Sequence, residues 1–431
     1  MGNPRLTLVA MLLVAALALL PFGRMVEIPM GFLSLLGVVL LTRASAFAAG
    51  APWRRLVVLY LLFVTPMILA LVDAVALEKA SLSTIGSLRY PFSCAALLAL
   101  YALSHDAERT QRRLLAVIAY AVTVLLGLWC FDGLLQAVTG RNTLGYGVGE
   151  GYINGLFGDD DNIKFGLTLA LLMPVAVVTT LRNWSTTASL AYVVLLLTLV
   201  ALSGKRAAWI VAAVELAVLL VYYHGRGYLA PRRVSAFALA AVMALLVAYG
   251  GSDWVRQRSD VLVEAVEHPD YETLNRASGK RLPIWGTALR MFSDNPLNGV
   301  GPRGFRYAYA DYASADDHWA KPLAGSAGSR GSHAHQLMLD LGSETGVFGL
   351  LGYALLVGVL LQAWRRASAA ARSRALPYGV ALTGMLFPIN THPAWYSSWS
   401  SLMLWFFIGL YLFALAETSA HETETADTKN L

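Results

Sequence analysis

Apolar residues in this 431-residue chain fall in long unbroken runs, not in an alternating pattern. Many runs reach roughly 17 to 25 residues, the length needed to cross about 30 Å of hydrocarbon as a helix. Lipid offers no partner to free backbone groups, so spanning segments are helices or a closed barrel, and continuous runs select helices. The pattern predicts spans near 6–22, 25–42, 56–76, 90–104, 114–138, 164–180, 187–203, 207–223, 234–250, 336–364, 376–390 and 399–417. The fold class is therefore an all-α polytopic membrane protein with about 12 transmembrane helices. The first run lacks an A-x-A-like site before the next one, so it reads as a retained span. Four regions follow: spans over 1–250, a long polar loop over 251–335, further spans over 336–417, and a polar, aperiodic tail over 418–431.

Hydrophobic residues make up 57% of the chain and charged residues only 14%, which fits that class. The two cysteines, Cys94 and Cys130, lie inside apolar runs and predict neither a disulfide framework nor a thiolate site. A net charge of +6 would raise nucleic acid as a partner in a soluble protein. Here the placement of the cations matters more than their sum, and no nucleic-acid partner is expected. With the N-terminus inside, the inner segments carry 16 of the 33 Lys and Arg residues, including Arg54, Arg55, Arg109, Arg112, Arg113, Arg232, Arg233, Arg365 and Arg366. The positive-inside rule puts both termini in the cytoplasm and the 251–335 loop outside.

Two outer positions break that rule. The stretch "LSGKRAAW" sets Lys205 and Arg206 at the outer junction between spans seven and eight. They could snorkel to lipid headgroups. In the long loop, however, Arg276, Lys280, Arg281, Arg290, Arg303 and Arg306 stand against Asp294 alone between positions 276 and 306. Such an excess is either a solvated face or a local anion site. On the outer face of a membrane the matching anion is a lipid-linked phosphate or diphosphate, which guanidinium groups grip in pairs. The stretch "NPLNGVGPRGFRYAY" adds turns able to bring backbone N–H groups and rings to a polar ligand.

Other marks each carry two readings. Glu215 lies about 13 Å deeper than Arg206 along the same span, as a functional acid or one with a buried partner. The run "GDDDNIKFG" offers Asp159, Asp160 and Asp161 as a helix cap or as ligands for a divalent metal. In "THPAWYSSWSS", His392 and three aromatic rings suit an interfacial belt or a sugar platform.

The most unusual segment is "SHAHQLMLDLGSETGVFG" (332–349), which places His333 and His335 at the outer mouth of a span, followed by Asp340 and Glu344. A metal reading of His-Ala-His needs a third ligand and a strand-like register. The others are a histidine satisfied by hydrogen bonds, or a general base taking a proton from a sugar hydroxyl while arginines hold a diphosphate leaving group. Gly342, Gly346 and Gly349 are expected to let another helix backbone approach and fix the histidine.

"HQLMLDLGSETGVFG" resembles the O-antigen ligase family, which includes the O-antigen polymerases and pilin glycosyltransferases: His, then Asn, Ser or Gln, nine residues, then Gly-x-x-Gly. His335, Gln336, Gly346 and Gly349 are the matching positions. "LSGKRAAW" is similar to the family's Ser-x-Arg-Gly-Ala stretch through Arg206, with Lys205 and Ala207 as departures. "RLPIWGTALRMFSDNPLNGVGPRGF" looks like the family's loop with Arg281, the Trp285 helix and the Pro-Leu-x-Gly-x-Gly turn. The resemblance covers about residues 145–415.

It implies a GT-C-like glycosyltransferase of the bacterial inner membrane acting on the periplasmic face, inverting, metal-independent and without a cofactor. The donor would be an undecaprenyl-diphosphate-linked glycan and the acceptor the lipid A–core, as in lipopolysaccharide biosynthesis. His335, Arg206 and Arg281 would be catalytic. Lys205, Lys280, Arg290, Arg303, Arg306, Lys321, His333 and Gln336 would bind substrate. An O-antigen polymerase or a protein O-oligosaccharyltransferase would differ in acceptor only. A lipid-linked glycan flippase, the alternative of another class, would need paired halves, and no internal repeat is seen. The topology predicts that a cysteine placed in the 251–335 loop of a cysteine-free variant labels with a membrane-impermeant reagent in intact cells. Labelling only after lysis would reverse the orientation.

Overall fold

The computed structural model describes residues 3–42, 51–148, 151–158, 164–227, 229–323, 328–391 and 394–417. Asp159–Asp161, His392 and the tail from 418 lie outside the described residues. Before the long loop come helices α1 (Pro4–Ala18), α2 (Glu27–Leu41), α3 (Ala51–Leu69), α4 (Leu77–Gly86), α5 (Arg89–Ala102), α6 (Ala107–Thr139), α7 (Phe165–Asn183), α8 (Thr186–Leu202), α9 (Arg206–Gly225) and α10 (Pro231–Gly251). The loop itself folds into α11 (Asp253–Glu267), α12 (Tyr271–Ser278), α13 (Leu282–Asp294) and α14 (Phe305–Tyr312). The chain then returns through α15 (Leu337–Arg366), α16 (Ala369–Leu386) and α17 (Ser398–Leu415).

Among the described residues, eight helical segments are long and apolar enough to cross a membrane, and α1 and α8 are shorter apolar helices. The remaining two predicted spans coincide with α5, of 14 residues, and α16, whose first turns carry Arg372 and Arg374. Helix α4 has no counterpart among the predicted spans, because its sequence LEKASLSTIG mixes charge with apolar positions.

Helices α7 and α17 are apolar on every side and are buried nearly throughout, as a helix at the centre of a bundle must be. Around them the outer helices leave apolar side chains such as Phe32, Val124 and Leu246 exposed, the surface that lipid requires. Serine caps start the short connections: Ser185, Ser368 and Ser397 each accept a backbone N–H from three residues on. The loop has a small core of its own, in which Ile284, Ala288 and Met291 of α13 meet Phe305, Ala308 and Tyr309 of α14.

The loop is keyed into the bundle at one place. Helix α15 is broken at Gly346 (φ 62°, ψ −154°), a conformation that is essentially glycine's alone. The 296–301 turn fills the break. Val347 N–H donates to the Pro296 carbonyl at 2.8 Å, and Val300 N–H donates to the Ser343 carbonyl at 2.8 Å. A Cβ on Gly346 would lie 2.2 Å from the Leu297 oxygen, and one on Gly299 would lie 2.5 Å from the Ser343 oxygen. Gly346 thus admits a loop and not the helix backbone expected from spacing, while a Cβ on Gly342 would meet the Phe292 ring of α13 at 3.4 Å and one on Gly349 would meet Thr345 of its own helix. Close helix approach is found further down α15, where Gly352 faces Leu62 and Pro66 of α3.

Gly346→Ala combines a forbidden φ with a backbone clash, so it should destabilise by at least about 1–3 kcal/mol. Gly358→Ala, on the same helix with nothing within 4 Å, should be neutral. Thermal melts of the two purified variants in one detergent compare them. Equal melting temperatures would mean that the junction does not hold the loop.

Candidate functional site

At the outer end of α15, Gln336 is the N-cap: its Oε1 accepts the Leu339 N–H at 2.7 Å and its Nε2 donates to the Pro388 carbonyl at 2.7 Å. Both amide ends are occupied in fixing the start of the helix. His335 immediately before it is held at φ 51°. Only three described non-glycine residues have positive φ, namely Lys280, Arg303 and His335, and all three belong to the predicted site. Backbone strain of this kind persists where surrounding contacts over-determine it.

Those contacts come from the acids behind the histidines. Asp340 accepts the Ala334 N–H at 3.3 Å through one oxygen and the Trp395 N–H at 2.8 Å through the other, tying the histidine loop to the start of α17. Glu344 Oε2 accepts the Arg303 N–H at 2.9 Å. The sequence set these carboxylates beside the histidines, and only the structure shows that both bind backbone donors.

His335 is partly open, yet burial and then the charge of Arg281 push its imidazole down to about 3, so the ring is neutral at physiological pH. Arg281 is itself half-buried, and burial with the nearby Arg258 lowers its guanidinium to about 10. Arg206 reaches the same place from the first turn of α9, with its Nη1 3.4 Å from the Arg276 carbonyl. A Cβ on Gly279 would stand 2.9 Å from Arg206 Nη2 and 4.0 Å from Arg281 Nε, so the two guanidiniums flank that glycine. Arg206, Arg258 and Arg281 repel one another, and an arriving dianion relieves the repulsion.

Arg258 was not visible in the sequence because α11 balances it with Asp253, Asp260, Glu264 and Glu267. Its position follows from Trp254. That ring fills the space left by Gly204 (φ 67°) and Gly151 and meets Tyr152 edge-on at 5.6 Å, with the Arg258 guanidinium 4.2 Å above it. Gly204 of "LSGKRAAW" thus makes room for a loop tryptophan.

The other predicted cations divide. Lys205 lies 3.8 Å over the Tyr152 ring. Arg290 is exposed and joins α13 to α14 through the Tyr312 carbonyl at 2.7 Å. Arg276, part of the local excess, is exposed and paired with Glu264 at 2.6 Å. Lys280 and Lys321 are exposed, the latter beside a bridge between Pro322 and Ser329. Arg303 and Arg306 adjoin each other and open, with His333, into a separate cavity. The His333 and His335 rings touch, with centroids 3.7 Å apart, and Ser332 Oγ lies 2.9 Å from His333 Nδ1. Among the described residues no three His, Cys, Asp or Glu side chains gather as a metal-binding set.

Glu215 is fully buried against Gly384, and neither carboxylate oxygen has a hydrogen-bond partner among the described residues. Trp395 and Tyr396, read as belt or platform, pack inside the protein on Phe63.

Fold and site together define a polytopic helical membrane protein with a cationic centre around an uncharged imidazole at the mouth of a broken helix. Residues 191–354 match the family model described as O-antigen ligase, and this match supports the O-antigen ligase and polymerase superfamily. The match encloses Arg206, Arg258, Arg281 and His335. No curated protein matches the chain.

The neutral imidazole makes a pH prediction. Diethyl pyrocarbonate modifies unprotonated histidine, so between pH 7.5 and 5.5 a free N-acetylhistidine reference should slow about tenfold. His335 should change little, as read by fragment-ion mass spectrometry. The native ring refuses a proton that the unfolded chain takes below about 6.5, so stability should fall as pH drops from there. The fall should be shallower in His335→Gln. Slowing of His335 in step with the free reference would show an ordinary surface imidazole.

Proposed function

We propose that the protein is an O-antigen ligase of the bacterial inner membrane, with about 12 spans, a GT-C-like architecture and an active site facing the periplasm. It moves a glycan from undecaprenyl diphosphate to a sugar hydroxyl of the lipid A–core. The observation that carries the reading is the convergence of Arg206 and Arg281 around Gly279, with the uncharged His335 beside Arg281.

The acceptor oxygen attacks the anomeric carbon from the face opposite the diphosphate, and His335 takes the hydroxyl proton. The carbon–oxygen bond to the diphosphate breaks, its electrons stay with the leaving group, and the configuration inverts. Undecaprenyl diphosphate departs while Arg206 and Arg281, with Arg258 close by, stabilise the charge that develops on it. The energy of transfer resides in the lipid diphosphate. The resemblance gives the chain no cofactor, and the guanidiniums supply the positive charge that the leaving diphosphate needs.

His335→Ala should still insert and bind lipid diphosphate but transfer at least about 100-fold more slowly. Arg206→Ala and Arg281→Ala should each cost about 1.5–3 kcal/mol of transition-state binding, with poor rescue by Lys, which lacks the bidentate fork. Purified protein given lipid-linked glycan together with lipid A–core should extend the core and should do so in EDTA. Extension of the lipid-linked glycan instead would make it a polymerase. Full activity of His335→Gln would remove the general base, and loss in EDTA restored by manganese or zinc would replace the arginines with a metal.

A further inference from the structure

His333 also lines a cavity of about 350 Å³. It is lined by Arg24 of the α1–α2 turn, Lys164 at the start of α7, Arg303, Arg306, His333 and Trp399 of α17. Its size falls at the lower end of small-ligand sites. Arg24, Lys164 and Trp399 lie outside the family match.

Its described lining carries four cations, Arg24, Lys164, Arg303 and Arg306, against one acid. The acid in its wall, Glu27, is bound by Arg89 at 2.9 Å. Glu344, behind it, accepts the backbone N–H of Arg303, which leaves that guanidinium to the cavity. Among the described residues no carboxylate lies within ion-pair distance of Arg24, Lys164, Arg303 or Arg306. Four cations in a walled space, with serine hydroxyls at 332, 397 and 398, suit an anion that brings several oxygens. The Trp399 ring adds the apolar surface on which the carbon face of a sugar rests.

Location settles which anion. The cavity reaches His333, whose ring touches His335, and neither Arg281 nor Arg206 is among its lining residues. A molecule held here presents a hydroxyl toward the imidazole without crossing the arginine pair. We infer that this cavity is the acceptor subsite and binds a phosphorylated sugar, with Arg24, Lys164, Arg303 and Arg306 on the phosphate and Trp399 under the ring. The inference rests on the proposed transfer reaction and adds to it the chemical class of the acceptor's anchoring group.

The test uses full-length wild type and an Arg24→Ala/Lys164→Ala variant in nanodiscs, with matched melting temperatures as the folding control. The acceptors are phosphorylated lipid A–core and the same core stripped of its sugar phosphates by aqueous hydrogen fluoride. The variant should raise the KM for phosphorylated core at least about tenfold, and stripping should do the same to wild type. The KM for the lipid-linked donor should stay within about twofold. A raised donor KM with an unmoved acceptor KM would assign the cavity to the donor diphosphate, and no change in either would make it a solvated face. Each result overturns the inference while leaving the transfer reaction standing. If wild type transfers nothing to lipid A–core, the reaction itself is wrong. Direct binding of free phosphorylated core oligosaccharide then decides the cavity, with equal affinity in both proteins refuting it and loss in the variant supporting it.

Discussion

A helix broken inside a bundle exposes backbone donors and acceptors that lipid cannot satisfy. In α15 the break at Gly346 is sealed by the 296–301 turn, whose carbonyls take the freed N–H groups and whose Val300 N–H takes a freed carbonyl. Neither partner is satisfied without the other. The long outer segment is therefore locked to the span that carries the histidines, and Arg303 is delivered beside them on the same turn, with Glu344 on its N–H.

From that junction the remaining geometry follows by short links. Asp340 ties the Ala334 amide to that of Trp395, Gln336 ties the helix start to Pro388, and His335 is left in a strained left-handed conformation. Carboxylates so close to a histidine would ordinarily keep a proton on it. Here both accept from backbone donors, and burial, then the charge of Arg281, keeps the ring neutral. An uncharged imidazole thus stands beside a cationic centre.

The two cationic regions have different supports. Arg206, Arg258 and Arg281 come from α9, α11 and the start of α13, and are gathered by Trp254 filling the gap at Gly204. The second region, around Arg303 and Arg306, takes its other walls from the first two spans, α7 and α17. The histidine loop stands between them, joined to the core by Asp340. The two cationic regions therefore rest on different helices, and only the histidine loop is common to both.

Sequence alone determined the helical membrane class, because run length against hydrocarbon thickness leaves few alternatives, and it marked His335, Arg206 and Arg281 through motif and misplaced charge. The start of α15 next to Gln336 was legible for the same reason, since a side-chain cap is a local event. What the glycines of 342–349 were for was not legible: spacing reports that something comes close, and only the fold shows a turn entering a broken helix where a second helix was expected. Arg258 was hidden by balanced charges on its own helix, and Arg290 and Arg276 looked equivalent to Arg281 until Tyr312 and Glu264 engaged them. Charge and hydropathy are properties of single positions and short windows. Which cation is left without a partner depends on contacts between segments far apart in the chain, and those exist only once the chain has folded.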